Sequence, residues 1–278
     1  MLWDTLWGMG KAGFGLLPVS IGVLFFAETA LVYVVSVLNG EIDEALPFVT
    51  TSADNRPQSC IFSMFTNIIS FFLMVVVYVR YKQVIGTLST FDGKVHFIVW
   101  NQISRWIGWF SGIGWFIVAN VQETACVIVH QIGCYMAFGG FTFYMVIQSY
   151  ISYFVYKGYI KKSIYYTRLY MTWLTVIFYA STVTCEIIAI NQFQEMFPHA
   201  PTPPPWNRTQ PGFKMHQISA TSQWFCVLCQ MFFIITLAPE LEKVTYFYFL
   251  SCEFVVPQNA NYQNARLSFL ARRRRYAL

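Results

Sequence analysis

Six stretches of the chain are apolar over about 20 residues or more, the length an α-helix needs to cross a bilayer. They fall near 13–38, 59–79, 97–121, 125–156, 164–190 and 219–237. Few folds are open to such a chain. No water reaches the backbone inside lipid, so each crossing must be a helix or part of a closed barrel. A barrel is excluded, because its strands alternate apolar and polar residues over about ten positions. The expected fold class is therefore all-α: an integral membrane bundle of six transmembrane helices. The segments between the stretches are too short for a soluble domain. Residues 1–238 read as one six-helix domain and 239–278 as a flexible tail.

Composition supports this. Only 11% of the 278 residues are charged, about half the ~25% of an ordinary soluble domain. Mean hydropathy is +0.48. Too little polar surface exists to coat a globule of this size. A soluble enzyme, a disordered scaffold and a nucleic-acid binder are excluded on this ground, despite a net charge of +5. The first apolar stretch is longer than a signal-peptide core of about 7–15 residues and is interrupted by Glu28, so it reads as an uncleaved span. The fourth is longer than a bilayer requires and is expected to tilt or extend beyond it.

Lys and Arg concentrate on the cytoplasmic side of membrane proteins. Alternate loops hold Lys11, then Arg80, Lys82 and Lys94, then Lys157, Lys161 and Lys162. Lys243, Arg266 and Arg272 to Arg275 follow in the tail, while Arg105 and Arg168 lie near the same ends of their spans. These are fifteen of the eighteen basic residues; only Arg56, Arg208 and Lys214 fall on the other side. Both termini are expected in the cytoplasm, which requires an even number of spans. The sequon Asn207-Arg208-Thr209 then falls in a lumenal loop and makes Asn207 a glycosylation candidate.

Seven cysteines show no disulfide-scaffold spacing. Cys226 and Cys229 read as small packing residues on one helix face rather than as a metal or redox pair. Cys60 and Cys126 sit at lumenal span ends, where a disulfide is possible, although unpaired packing is the preferred reading. The proline-rich loop 197–213 reads as a stiff connector. Arg272, Arg273, Arg274 and Arg275 either attract anionic lipid, at about 1 kcal/mol each, or help set orientation.

Ionisable and amide groups within spans are costly unless paired, so each is a candidate site. Glu28, Asn67 and His130 lie toward the lumenal half of three spans, and Asn120, Gln122 and Glu123 cluster where the third span exits. By depth these six converge into one lumenal polar pocket. The plainer alternative is that they hydrogen-bond helix to helix and fix the bundle. Arg105, Arg168 and Gln148 form a second set at the cytoplasmic end, with snorkelling as the alternative for the arginines. Glu186 reads as reaching the headgroups. Gly108-x-x-x-Gly112, and Gly133 with Ala137, offer close-packing faces within the bundle. No HExxH, GxSxG, Walker or dinucleotide motif is present. Neither a catalytic residue, nor a metal, nor a cofactor is expected, and the chain reads as a non-enzyme.

Two groups of residues carry a resemblance. Leu46-Pro47 with Arg56-Pro57-Gln58-Ser59-Cys60-Ile61-Phe62 is one. The other is Val118-Ala119-Asn120-Val121-Gln122-Glu123-Thr124 with Val129-His130, Gly133, Ala137-Phe138-Gly139 and Gln148-Ser149-Tyr150-Ile151-Ser152. Both resemble the damage-regulated autophagy modulator (DRAM) family, within a superfamily of six-span proteins, and the resemblance covers nearly the whole chain. It departs at Arg56-Pro57, where the family often has two prolines. The resemblance implies a non-enzymatic lysosomal membrane protein that promotes autophagy through protein or lipid contacts. Alternatives are a plasma-membrane scaffold for phosphatidylinositol 4-kinase signalling and a small channel or transporter. It also places Asn120, Gln122, Glu123 and His130 at motif positions, strengthening the functional reading of the pocket.

Overall fold

A computed structural model describes residues 13–42, 46–88, 95–200 and 206–244, with side chains undescribed at 95 and 155–159. The chain is all-helical over these residues. Helix α1 is Leu16–Leu38, α2 Gln58–Leu88 and α3 Val95–Asn120. The fourth crossing begins as α4, Val127–Cys134, passes through a π-helical segment, Tyr135–Gly139, and continues as α5, Gly140–Tyr159. Helix α6 is Lys162–Met196, α7 Phe213–Ile235 and the short α8 Ala238–Leu241.

Four of these segments are long and apolar enough to cross a membrane: α1, α2, α6, and α7 continued through Leu241. The other two long helical segments differ in character. Helix α3 carries Asn101, Gln102, Ser104 and Arg105 in its first turns, and the fourth crossing is broken by the π segment. The longest helix is α6, at 35 residues. At 1.5 Å per residue it exceeds the ~30 Å apolar layer by several turns.

Helix α6 packs mainly on α7, α2 lies between α1 and α3, and α3 contacts both halves of the fourth crossing. A core of Phe25, Phe62, Leu73, Trp115, Phe138, Phe141 and Phe233 fills the centre. The periphery is equally apolar: Phe71, Trp106, Phe110, Phe143, Trp173 and Phe232 are all exposed. In water such a surface would drive aggregation; in lipid it is the ordinary exterior of a spanning bundle.

Small residues bring the helices together as expected. The Ser70 hydroxyl donates to the Gly112 carbonyl at 2.6 Å, and Ser111 donates to the Ala137 carbonyl at 2.8 Å. A Cβ on Gly112 would meet Met74 at 2.6 Å, and one on Gly114 would meet the Ala137 amide nitrogen at 2.4 Å. These glycine faces serve packing within the chain.

The first and last described segments meet at one end of the bundle. Phe14 donates its amide to the Leu241 carbonyl, and the Gly15 amide donates to Glu242 Oε2 at 3.1 Å. Leu241 and Val244 are buried, so the bundle continues past residue 238 to Val244. The arginine run 272–275, and the tail beyond Val244, lie outside the described residues.

Two arginines at this end correct the sequence reading. Arg80 belongs not to a loop but to α2, which continues two further turns, and Arg168 does not snorkel; both are fully buried. Their shared partner is Glu240 of α8, whose two carboxylate oxygens take one arginine each, Arg168 at 2.5 Å. Arg80 also donates to Gln148 and Gln83, at 3.0 and 2.7 Å, and both arginines donate to Ser152. Arg168 further donates to the Thr236 hydroxyl and carbonyl. Gln148 passes the network to Ser104 of α3 at 2.8 Å. Arg105 stays outside it, its guanidinium lying over the rings of Tyr81 and Trp106.

Removing one partner of a buried ion pair strands the other charge, at about 3–5 kcal/mol. Glu240→Ala strands two, and is expected to lower stability by at least that amount. Thermal unfolding of detergent-purified protein measures this; an unchanged Tm would show that the cluster contributes nothing.

Candidate functional site

At the opposite end a cavity of about 240 Å³ opens among α4, the π segment, α6, α7 and two loops. Its polar lining includes Glu123 from the α3–α4 loop, His130 and Gln131 from α4, Glu186 from α6 and Gln223 from α7. Its apolar lining includes Phe48, Phe138, Tyr179, Ile187, Ile190 and Trp206. The π segment supplies Tyr135 and Phe138. Such segments re-aim side chains and recur at functional sites. Gly139, at its end, admits Tyr179 to the wall: a Cβ there would meet the Tyr179 hydroxyl at 2.5 Å.

The loops are tied down by hydrogen bonds to α7 and to each other. The Val49 amide donates to Gln223 Oε1 at 3.1 Å, Trp224 Nε1 donates to the Pro47 carbonyl at 2.7 Å, and the Thr124 amide donates to Asp54 at 3.3 Å. On the other side α7 starts after Gly212, whose φ of +88° suits glycine. A Cβ at Gly212 would meet the Ala189 carbonyl oxygen at 2.3 Å, so the turn sits directly against α6.

The six sequence-predicted residues divide among separate places. Glu123 and His130 line the cavity. Glu28 is buried between α1 and α2, where its Oε1 accepts from Thr66 at 2.5 Å. Asn67 and Asn120 pair with each other at 2.8 and 3.1 Å and with Ser63, on an outer seam of α2 and α3. Gln122 is half-buried in the α3–α4 loop, where its carbonyl accepts from Ala125 and Cys126. Depth placed all six at one level, but only two face one space.

Two further groups complete the site. His216 Nδ1 lies 3.1 and 3.2 Å from the carboxylate oxygens of Glu186, and its ring stacks on Trp206 at 4.8 Å. Glu186 therefore faces inward, not toward headgroups. The sequence signal was weak: His216 precedes the sixth apolar stretch and Glu186 nears the end of the fifth. Only the longer helices make them opposite one another.

His130 is 2% exposed. Its Nδ1 lies 2.6 Å from the Val121 carbonyl, which only accepts, so Nδ1 carries a proton and Nε2 lies on the other side of the ring. That Nε2 is buried and has no partner among the described residues.

The disulfide considered between Cys60 and Cys126 is not formed. Both are exposed free thiols, one in the first turn of α2 and one just before α4. Cys226 and Cys229 are buried in α7, as packing residues would be. No cluster of three or more metal-ligating side chains occurs among the described residues. Asn207 is exposed, its Oδ1 accepting from the Thr209 amide at 3.1 Å.

Glu123 is the titratable group of the site that stands outside the helices. Burial, followed by the Glu186 and Asp54 carboxylates, pushes its carboxyl up to about 7, against opposing contributions from His216 and from the Thr51 hydrogen bond. A carboxyl raised in the fold favours the folded state most where it is protonated. That contribution is complete below about pH 4.5 and is lost as pH rises through about 7. Glu123→Gln is expected to raise Tm at pH 7.5 and to change it little at pH 4.5. Melting curves at the two values check this; equal shifts at both would contradict it.

Residues 13–244, the described six-helix bundle, match the profile of the Frag1/DRAM/Sfk1/Cwh43P N-terminal domain. The chain is 26% identical over 235 residues to mouse DNA damage-regulated autophagy modulator protein 2, covering 84% of this chain and 86% of the relative. It is 26% identical over 234 residues to human DNA damage-regulated autophagy modulator protein 1, covering 84% and 93%. Zebrafish modulator of macroautophagy TMEM150B is 31% identical over 143 residues, covering 50% and 58%. No solved structure matches the chain.

Proposed function

The chain belongs to the Frag1/DRAM/Sfk1/Cwh43P family, and from that premise we propose that it is a multi-pass lysosomal membrane protein that regulates autophagy without catalysis, through protein or lipid contacts. The observation that carries this is the match of the entire described bundle to a family whose relatives are named modulators of autophagy. The apolar exterior supports residence in a membrane.

In this reading the Arg168 end faces the cytosol and the cavity end faces the lumen. The basic loops and the arginine tail then fall on the cytosolic side, and Asn207 stands exposed on the lumenal side. A carboxyl such as Glu123, favoured as the acid, suits an acidic lumen.

Two measurements test the proposal. Tagged protein at native expression is expected to overlap lysosomal markers, and its deletion to lower autophagic flux. A plasma-membrane signal without lysosomal overlap would overturn the location and leave the scaffold reading in its place. Glycosidase treatment is expected to shift the mass of wild-type protein but not of Asn207→Gln. An unshifted wild type would argue against a lumenal position for that loop.

A further inference from the structure

Arg105 carries a charge that the Arg168 end does not absorb. Its guanidinium carbon lies 4.5 Å from the ring centre of Tyr81, 4.7 Å from that of Trp106 and 5.5 Å from that of Trp109. Among the described residues no carboxylate, carbonyl or hydroxyl accepts a hydrogen bond from it. The described carboxylates of this end are engaged elsewhere, Glu240 with Arg80 and Arg168, and Glu242 with the Gly15 amide. The residue is half-buried, and its Nε is closed off, which leaves the two Nη groups to reach the surface.

The rings around it are themselves anchored. Trp109 donates its Nε1 to the Met74 carbonyl at 3.1 Å, Asn101 donates to the Tyr81 carbonyl at 2.9 Å, and Trp106 meets Trp109 edge-on at 5.3 Å. A guanidinium seated on rings keeps its planar fork of N–H donors available and loses little further freedom when an oxyanion arrives. Gln102, Arg105, Trp106 and Trp109 recur at the spacing of one helix face. The other side of α3, with Asn101, Ser104 and Gly108, is buried in the bundle. Beyond Arg105, toward the cavity end, exposed Trp106, Phe110 and Ile113 continue as an apolar stripe. This face meets lipid, not water.

Depth selects the ligand. About 22 Å of helix separate Arg105 from Asn120 at the other end of α3, less than the ~30 Å apolar layer. The guanidinium therefore stands near the boundary between headgroups and acyl chains, where an unpaired cation is costly. The complementary group is an oxyanion carried by a lipid, and a phosphodiester accepts the guanidinium fork through two oxygens. A zwitterionic headgroup brings a cation of its own, for which this face offers no carboxylate, and Arg105 already lies over the rings. We propose that the α2–α3 face around Arg105 is a binding site for one anionic phospholipid. Its phosphate is taken by the Nη groups of Arg105, with the exposed amide of Gln102 one turn away, and an acyl chain lies along Trp106, Phe110 and Ile113. This gives the lipid contacts proposed above a place in the fold. It rests on that reading only for residence in a membrane and stands whichever compartment the protein occupies.

Palmitoyl-oleoyl phosphatidylglycerol and palmitoyl-oleoyl phosphatidylcholine share their chains and differ in net charge. Each is titrated in mixed micelles into the purified full-length protein, and inorganic phosphate is titrated separately. Binding is read as a saturable rise in Tm. Phosphatidylglycerol is expected to bind at least about fivefold more tightly than phosphatidylcholine, the factor that ~1 kcal/mol per basic residue gives, and phosphate to give no saturable shift. Equal binding of the two lipids, or a phosphate shift as large as that of phosphatidylglycerol, would overturn the proposal. Arg105→Gln is expected to lose most of the preference, whereas Lys161→Gln/Lys162→Gln, which removes two exposed cations of the same end, is expected to keep it. A preference retained in the first variant, or lost equally in the second, would overturn the proposal. Should Arg105→Gln not fold, the wild type suffices. Phosphatidylglycerol with a photoreactive acyl chain is expected to label the 106–113 stretch of α3, competed by unlabelled phosphatidylglycerol and not by phosphatidylcholine. Labelling spread evenly over the helices, or competed equally by both lipids, would overturn the site.

Discussion

Two guanidinium groups buried in a membrane bundle are tolerable only if a carboxylate comes to them, and Glu240 does so from beyond the last long helix. Arg80 of α2, Arg168 of α6 and Glu240 of α8 meet with Gln148 and Ser152 of α5, while Ser104 of α3 supports Gln148. Helices packed in lipid gain little from apolar contact, because the tails are as apolar as the side chains. A polar network of this kind is accordingly selective: it is satisfied in one arrangement of five elements and strands charge in any other. It also holds α8, which extends the line of α7 through Leu241, against the bundle.

The cavity end is built on the opposite plan. The Arg168 end gathers Arg80, Arg168, Glu240, Gln148 and Ser152 into one hydrogen-bonded cluster. Around the cavity the polar groups are only partly satisfied. Glu186 finds His216, but Glu123 has only the long 3.5 Å bond from Thr51, and His130 Nε2 has no partner among the described residues. The π segment forms part of the wall of that space. One end locks the fold and the other keeps chemistry available.

Much of this was legible beforehand, and the failures share a cause. The six apolar stretches map onto six long helical segments, four of them long and apolar enough to cross a membrane, because backbone satisfaction in lipid leaves few alternatives. The paired glycines marked close-packing faces, and two of the six polar residues, Glu123 and His130, line one cavity. Glu28, Asn67 and Asn120 were grouped with them because depth along a helix is readable from residue number, whereas the direction a side chain faces depends on each helix's rotation about its axis. Successive residues turn by about 100°, so groups at one depth can point to opposite sides. Arg80 was misjudged for a related reason. Its basic neighbours suggested a loop, while a buried carboxylate 160 residues away held it inside.

What the amino-acid order determined by itself was the solvent and the secondary structure. A chain this poor in charge, with apolar stretches of span length, must put helices in lipid, since backbone groups and scarce charges leave no other arrangement. Which helix faces meet was decided by the tertiary structure. Glu240 becomes the partner of two arginines, and Glu123, Glu186 and His130 come to line one cavity, only through contacts between residues far apart in the chain. Local pattern carries no information about those contacts, because rotation and packing of whole helices, not the period of any one of them, determine which side chains share a space.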